Sequence, residues 1–342
     1  MKPAFSSRRQ RLGFLLCLLL IVLSPVYFRP SRKLCFEALV FNLGPIDYWY
    51  HQTFIEKKSV DILVIGASVI GAAIDPNVLR QQLHSLIGKE LNVVSLAGNW
   101  AGMDFLAFRL KDFLENRKSK MLIISADDGL EQHPFFGQFV HFSDPDFVRL
   151  TRINRFFELY ARNIASLPRL LRTKVRSHPL EEVFLARSAQ SKMNQPDLAM
   201  KQDFAGQPLS PFDRRPPILS PSDLIIDFES GEISPEKISS KDVTPYYEFI
   251  IELCKKHGVK LVGVLVPNMD DKNPRPVVES LITPGTKIPI VSVDPKHLFG
   301  KLEKADMKKL FSDKVHFNIN GSRYFTATIA PAIGKLYESA NN

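Results

Sequence analysis

The chain has 342 residues, of which 45% are hydrophobic and 24% are charged, an ordinary globular composition. Its three cysteines, Cys17, Cys35 and Cys254, are odd in number and scattered along the chain, a pattern that indicates neither a disulfide framework nor a zinc site. The formal net charge of +9 favours an anionic partner, which leaves a phospholipid surface, an acidic polysaccharide or nucleic acid.

The N-terminal segment is uncharged from Leu12 to Phe28, with basic residues on both sides. These 17 residues are at the short end of what spans a bilayer. A cleaved signal peptide would need small residues at its cleavage site, whereas this stretch ends in Ser-Pro-Val-Tyr-Phe-Arg. A buried helix of a soluble protein is the third interpretation. We predict an uncleaved single-pass anchor over residues 1–33, cytoplasmic tip included.

The positive-inside rule favours a cytoplasmic N-terminus. The body of the protein is then expected outside the cytoplasm, in a periplasm or on a cell surface, with membrane lipid as a partner through the N-terminal helix. Nucleic acid is not expected as a partner there.

After an aromatic juxtamembrane stalk at residues 34–58, short apolar runs alternate with helical patterns. The first run, Val60–Ile65, is β-branched and apolar on both faces, as in a buried parallel strand. Asp75-Pro76 is typical of a helix start, and Gly258 of a helix end. The predicted strands are 60–65, 92–96, 121–125, 260–266 and 288–293, and the predicted helices are 75–86, 103–116, 245–257 and 322–337.

Strands that alternate with helices predict a doubly wound α/β domain, formed here by residues 59–129 and 244–342. The intervening residues 130–243 interrupt the alternation. They contain a basic helical pattern from Arg149 to Arg176 and then a stretch rich in Pro, Ser and Asp. We expect this insertion to form a lid or subdomain over the strand ends. The basic helix would contact anionic lipid headgroups or an acidic polymer, or would simply be a solvated face.

A candidate nucleophile follows the first predicted strand, in Gly66-Ala67-Ser68. Ligands of doubly wound sheets bind at the carboxyl ends of the strands, and a serine there lies close to free backbone N–H groups. It is not the nucleophile elbow of α/β-hydrolases, because Ile70 stands where that motif needs glycine. The alternative is that Ser68 only caps a helical turn.

A second candidate segment, Asp313-Lys314-Val315-His316, precedes the last predicted helix. An aspartate three residues before a histidine can accept the Nδ1–H bond and hold Nε2 towards a serine. The alternative is a surface loop with a coincidental Asp-x-x-His. Together, Ser68, Asp313 and His316 form a candidate catalytic triad.

A first strand that ends in Gly-x-Ser and a carboxy-terminal Asp-x-x-His followed by Asn and Gly resemble the SGNH/GDSL hydrolase superfamily. The likeness extends over most of residues 60–337. It implies a three-layer, flavodoxin-like α/β/α sandwich with about five parallel strands. It also implies Ser68 as nucleophile, His316 as general base and Asp313 as the residue that orients it.

The same resemblance implies an oxyanion hole, which this sequence matches less well. The N–H of Ser68 would be one donor, and either Gly98 or Gly102 could supply a second, with Gly98 favoured. The family's asparagine donor is missing after the third strand, which reads Ala-Asp-Asp-Gly, so Asn99 is the nearest replacement. Loss of one oxyanion donor typically costs about 10²–10³ in rate.

The architecture also resembles a bacterial branch of this superfamily that assists membrane-bound O-acyltransferases in decorating envelope polymers. We therefore expect an acyl-ester hydrolase or O-acyltransferase acting on an extracytoplasmic glycan, with an envelope polysaccharide and a membrane-bound O-acyltransferase as partners. The alternative is a catalytically degenerate scaffold that binds a glycan or such a partner.

No metal site and no cofactor are expected. The carboxylate pairs at 127–128 and 270–271 follow strands and could approach the site or bind a metal, but are interpreted as solvated loop charges. His133 and His141 are interpreted as packed lid histidines. No Gly-rich phosphate loop is present in the sequence.

Overall fold

The computed structural model describes residues 8–39, 46–98, 102–126, 136–150, 153–175, 212, 214–227, 244–271 and 288–340. The chain forms two compact units. Unit 1 consists of Met1–Tyr50 and Pro134–Lys192, and unit 2 of His51–His133 and Met193–Asn342.

The elements in chain order, with a single π-helical turn at His51–Ile55 between α3 and β1, are α1 (Arg8–Tyr27), α2 (Arg32–Leu39), α3 (Ile46–Tyr50), β1 (Val60–Ile65), α4 (Ser68–Ala73), α5 (Pro76–Ile87), β2 (Val93–Ser95), α6 (Met103–Asn116), β3 (Ser119–Ser125), α7 (Phe136–Phe139), α8 (Pro145–Leu150), α9 (Ile153–Val175), α10 (Pro221–Leu224), β4 (Ile225–Asp227), α11 (Thr244–His257), β5 (Lys260–Val264), β6 (Pro289–Val291), α12 (Pro295–Phe299), α13 (Lys304–Lys308) and α14 (Ile319–Glu338).

Unit 2 is an α/β unit built on one sheet with the strand order β2-β1-β3-β5-β6-β4. The first five strands in this order pair in parallel, and β4 pairs antiparallel with β6 at the edge. Taken in chain order, the parallel strands are arranged 2-1-3-4-5, one of the two common orders of doubly wound sheets. The prediction of an α/β domain with five parallel strands is confirmed.

The central strand β1 shows why the sheet is covered on both faces. Ile62 and Val64 alternate along the strand with Leu63 and Ile65, and all four side chains are essentially inaccessible to solvent. Because successive strand residues point to opposite faces, both faces must be packed. Ile62 and Val64 belong to the core shared with α5 and α14, which contact each other. The helices α6 and α11 form a second contacting pair.

The end signals of two helices act as the sequence predicted. Asp75 accepts the N–H groups of Asn77 and Val78 at 2.9 and 3.2 Å and so caps α5, with Pro76 as its first residue. Gly258, just after α11, has a φ of +65°, a conformation that side-chain-bearing residues rarely adopt. These signals depend on local sequence alone, which is why they were predictable.

Unit 1 contains α1, which is long and apolar enough to cross a membrane and whose apolar window is only 6% buried. It contacts α9, and α9 also contacts α2 and α7. Aromatic contacts support this packing, since the rings of Phe36 and Phe139 lie 4.7 Å apart and the guanidinium of Arg32 lies over Phe139.

The two compact units do not coincide with the predicted domains. The predicted stalk contains most of α2, all of α3 and the π-helical turn, with Phe36, Trp49 and Tyr50 fully buried. Of the predicted insertion, residues 134–192 belong to unit 1, whereas the part from Met193 belongs to unit 2. The stretch rich in Pro, Ser and Asp, at about 190–243, has a composition typical of irregular loop, but the edge strand β4 lies within it, so a strand was missed there. The position of a lid over the strand ends stays a prediction.

Candidate active site

Ser68 is the first residue of α4, three residues after the carboxyl end of β1. Gly66 and Ala67 form the connection, and Ala67 is extended, with φ −73° and ψ −172°. The first main-chain bond of the helix runs from the N–H of Gly71 to the carbonyl of Ala67. The N–H groups of Ser68, Val69 and Ile70 come earlier in the helix and therefore have no partner within it. The half-buried Ser68 side chain thus lies beside a set of outward-directed donors.

The structure brings the three predicted triad residues together within unit 2. Ser68 Oγ lies 2.8 Å from His316 Nε2, and His316 Nδ1 lies 2.7 Å from Asp313 Oδ2. An ionised carboxylate can only accept hydrogen bonds, so its contact with Nδ1 places the proton there. Nε2 then carries a lone pair that accepts the Ser68 hydroxyl proton. This is the hydrogen-bond order of a serine–histidine–aspartate relay.

Asp313 is held in its ionised form by the surrounding loop. Its Oδ1 accepts the N–H groups of Val315 at 2.8 Å and of His316 at 2.7 Å. Partial burial raises the pKa of Asp313, but hydrogen bonds from Val315 N–H and from the side chain and N–H of His316 outweigh it, so the pKa lies below its ordinary value. The carboxylate is therefore charged at neutral pH and available to orient His316.

The loop that carries Asp313 and His316 is closed at its base. Phe311 and Phe317 form an antiparallel bridge, and their rings stack at 4.4 Å. Within it, the N–H and hydroxyl of Ser312 both donate to the carbonyl of His316, at 2.9 and 3.1 Å. This fixes the backbone on either side of the imidazole.

Asn318 joins this loop to α14 and was not predicted to do so. Its Oδ1 accepts the N–H groups of Asn320 and Gly321, which caps the helix. Its Nδ2 donates to the carbonyls of Lys309 at 2.9 Å and Phe311 at 3.3 Å, and the side chain is fully buried. An asparagine before a helix is a recognisable cap signal, so the helix-start rule could have identified half of this role.

The structure gives the predicted oxyanion donors different hydrogen-bonding environments. The N–H of Ser68 lies at the start of α4, as the prediction requires. The N–H of Gly98 instead donates to the carbonyl of Gly66 at 3.0 Å, and this bond would have to break before Gly98 could bind an oxyanion. The alternative, Gly102, precedes α6 as its cap. Asn99, Asp127, Asp128 and His133 lie outside the described residues.

A cavity of about 500 Å³ lies beyond the carboxyl ends of β5 and β6. This is within the usual range of small-molecule sites. The cavity is joined to the triad loop, because Met269 in its wall donates its N–H to the carbonyl of Lys314 at 3.0 Å. Its wall is mainly apolar, and charged residues stand at positions 270, 271, 296 and 304; the lining residues are Met269, Asp270, Asp271, Pro295, Lys296, Phe299, Gly300, Lys304 and Met307.

The other predicted polar residues have local structural partners. Asp270 lies 3.8 Å from the Lys314 ammonium, and the Asp271 carboxylate accepts the N–H of Asn268 at 2.7 Å. His141, in unit 1, contacts the Ser143 hydroxyl at 2.7 Å, and its burial lowers the imidazole pKa to about 4, with a smaller contribution from the charge of Arg29. Among the residues that the structure describes, no group of three or more His, Cys, Asp or Glu side chains is arranged to hold a metal ion.

Comparison with protein-family models, with curated proteins and with solved structures found no match to this chain. The function is therefore inferred from the residues and the geometry of the site.

Proposed function

We propose that unit 2 is an SGNH-type serine esterase or O-acyltransferase with Ser68 as nucleophile. The observation that carries this proposal is the continuous relay from Ser68 Oγ through His316 to Asp313, with contacts of 2.8 and 2.7 Å. Three residues separated by up to 248 positions in the chain meet at the carboxyl side of a parallel sheet, where doubly wound enzymes place their chemistry. The strand order and the helix pairs α5/α14 and α6/α11 support the three-layer sandwich of that superfamily.

The reaction follows from the hydrogen bonds. Ser68 Oγ attacks the carbonyl carbon of an acyl ester, while His316 Nε2 takes the serine proton. The resulting imidazolium is stabilised by the anionic Asp313. When the ester C–O bond breaks, His316 returns the proton to the leaving alkoxide, and the acyl group remains on Ser68. Water or a sugar hydroxyl then attacks the acyl-serine, with His316 as the base a second time.

The developing oxyanion would be bound first by the N–H of Ser68. Gly98 would have to rearrange before it could serve as a second donor, because its N–H is held by Gly66. An enzyme whose Gly98 donor is engaged elsewhere is expected to be slow with free esters, and movement of the Gly98 segment on binding of substrate or partner would increase the rate.

The apolar cavity adjoining the triad loop is the proposed binding site of the acyl group or of the acceptor. The acceptor class that best fits a basic, membrane-anchored chain is an extracytoplasmic glycan, such as an anionic envelope polysaccharide. Anchoring by α1 would bring unit 2 close to a membrane-bound O-acyltransferase, which could supply the acyl group.

A non-catalytic scaffold is the second candidate, and the engaged N–H of Gly98 favours it. In this case Ser68 would bind a glycan or a partner without forming a covalent intermediate.

The proposal is tested by trapping the acyl-enzyme. The full chain in detergent is mixed with an activated acetyl ester, quenched in acid and analysed by intact-protein and peptide mass spectrometry. One acetyl group on Ser68 is expected, and none in Ser68→Ala or His316→Ala. Ser85→Ala is the matched control, because Ser85 is an exposed serine of the same unit. If folded protein never acetylates at Ser68, including in membranes that hold a co-expressed O-acyltransferase, the scaffold is favoured.

A further inference from the structure

The outward face of α9 is apolar along its whole length. Six exposed residues follow one another at intervals of three, four or seven positions, which places them on one side of the helix. Ile153, Phe157 and Val175 are 72%, 65% and 82% exposed. We call this set the α9 stripe, and it consists of Ile153, Phe157, Ala161, Pro168, Leu171 and Val175.

The inward face of α9 places two polar side chains beside two buried leucines, Leu159 and Leu170. Asn163 is buried, accepting the N–H of Phe142 at 2.9 Å and donating to the carbonyls of Gly137 and Val140. Ser166 is also buried and donates to the carbonyl of Asn163 at 2.9 Å. A helix that places amide and hydroxyl groups inside and a continuous apolar row outside is suited to an apolar surrounding, since large exposed apolar patches mark interaction surfaces.

The α9 stripe adjoins α1, the candidate membrane span. Tyr160, beside the stripe, donates its hydroxyl to the carbonyl of Val22 at 2.5 Å, and α1 and α9 are in contact. Val22 lies five residues before the end of α1 at Tyr27, which corresponds to about 8 Å along the helix axis. Nearer the other end of α9, Lys174 lies 5.3 Å from the ring of Phe28. The start of α9 therefore lies at a greater depth along α1 than its end.

Basic residues border the stripe on one side and occupy the end of α9. Arg162 pairs with Glu158 at 2.8 Å, and Arg169 bonds to Gln138. Arg172 is exposed, as is Lys174. Side chains of this kind lie at the headgroup level when an amphipathic helix rests in a bilayer surface, with the apolar face about 5–10 Å into the acyl region.

We infer that α9 is a second membrane-contacting element, with the α9 stripe among lipid acyl chains beside α1 and the basic border at anionic headgroups. This inference rests on the proposed anchoring by α1. It assigns to unit 1 the task of holding the chain in the bilayer surface at two places. The lipid is favoured over a protein partner because the stripe is continuous with the apolar, exposed surface of α1.

The test measures what surrounds the stripe in the full chain, reconstituted in vesicles of phosphatidylethanolamine and phosphatidylglycerol. Single cysteines are introduced by Phe157→Cys in α9, Leu15→Cys in α1 and Gln81→Cys on the exposed surface of α5, each in a Cys17→Ser background, and are spin-labelled. The native Cys35 and Cys254 are buried, and burial raises the pKa of Cys254 to about 12, so the unsubstituted background serves as the labelling control. Collision with oxygen reports lipid, and collision with a water-soluble nickel chelate reports water.

We expect oxygen collisions to exceed nickel collisions at positions 15 and 157, with the reverse order at position 81. Lipid exposure at position 15 with water exposure at position 157 would overturn the inference and leave the anchor intact. Exclusion of both reagents at position 157 would also overturn it, because a protein would then cover the stripe. Water exposure at both positions would instead refute the anchoring by α1.

Discussion

Asn318→Ala tests whether the loop that carries Asp313 and His316 is held by a single buried amide. The wild-type side chain accepts two N–H groups, at 2.9 and 3.1 Å, and donates to two carbonyls, at 2.9 and 3.3 Å. Loss of the helix cap costs about 1 kcal/mol. The buried Phe311 carbonyl, which loses its Asn318 donor, adds about 1–3 kcal/mol. We therefore expect Asn318→Ala to reduce the free energy of unfolding by roughly 2–4 kcal/mol.

The assay is urea denaturation of the full chain in detergent, followed by circular dichroism. Asn318→Asp keeps the accepting oxygen but buries a carboxylate against two carbonyl oxygens, so its loss should be at least as large as that of Asn318→Ala. Asn320→Ala is the matched control, because Asn320 is the same residue type two positions later, is only partly buried and reaches the Lys309 carbonyl at 3.5 Å, against 2.9 Å for Asn318. Equal losses for Asn318→Ala and Asn320→Ala would refute the role given to Asn318.

Three further predictions concern the body of unit 2. A Cβ on Gly321 would lie 2.0 Å from the Leu310 carbonyl oxygen, so Gly321→Ala should lower the melting temperature by several degrees. Gly334→Ala should change it little, because a Cβ there meets only side-chain methyls, of Leu83 at 3.2 Å and of Ile87 at 3.8 Å. Burial raises the pKa of Asp61, but hydrogen bonds from Lys120, Asn92 and Tyr337 outweigh burial, so the pKa of Asp61 is lowered. The ionised carboxylate therefore stabilises the fold fully above the unfolded pKa of about 3.9, and this stabilisation is lost as the pH falls through the folded pKa. In denaturation curves, the stability difference between wild type and Asp61→Asn should shrink on acidification. Met307→Trp should fill the cavity and raise KM for long acyl esters in steady-state kinetics. The rate at which a small fluorophosphonate labels Ser68 should not change. An unchanged KM would show that the cavity is not part of the proposed substrate site.

The parts of the fold that depend on local pattern were predictable. Strand β1 was predicted with its observed bounds, Val60–Ile65, because a short β-branched run between polar residues has few alternatives. Helix α6 was likewise predicted at Met103–Asn116. The start of α14 was placed three residues late, at Ser322, since the capping role of Asn318 was overlooked.

What was missed depends on contacts between distant residues. Strand β4 has three residues, too few for periodicity, and it exists because Ile225–Asp227 pairs with β6, more than sixty residues later. The bond from Gly98 N–H to the Gly66 carbonyl joins the ends of two parallel strands and leaves no trace in either segment. The α9 stripe was not predicted, because the many arginines of the same helix indicated a basic surface.

The triad was predictable only in part. Gly-x-Ser and Asp-x-x-His were recognisable by type and order, but the 2.8 Å contact between Ser68 and His316 depends on the whole sheet placing β1 beside the loop before α14. Sequence could name the three residues because each segment is short and self-contained. It could not show that the relay is continuous.

The most direct measurement of the central claim is the reaction of the full chain with a serine-reactive fluorophosphonate. Peptide mass spectrometry locates the adduct, and His316→Ala, Asp313→Asn and Ser85→Ala are labelled in parallel. An activated nucleophile predicts a single adduct on Ser68, abolished by His316→Ala, slowed by Asp313→Asn and unaffected by Ser85→Ala. A folded protein that forms no adduct at Ser68, or one whose labelling is the same in His316→Ala, would contradict the account.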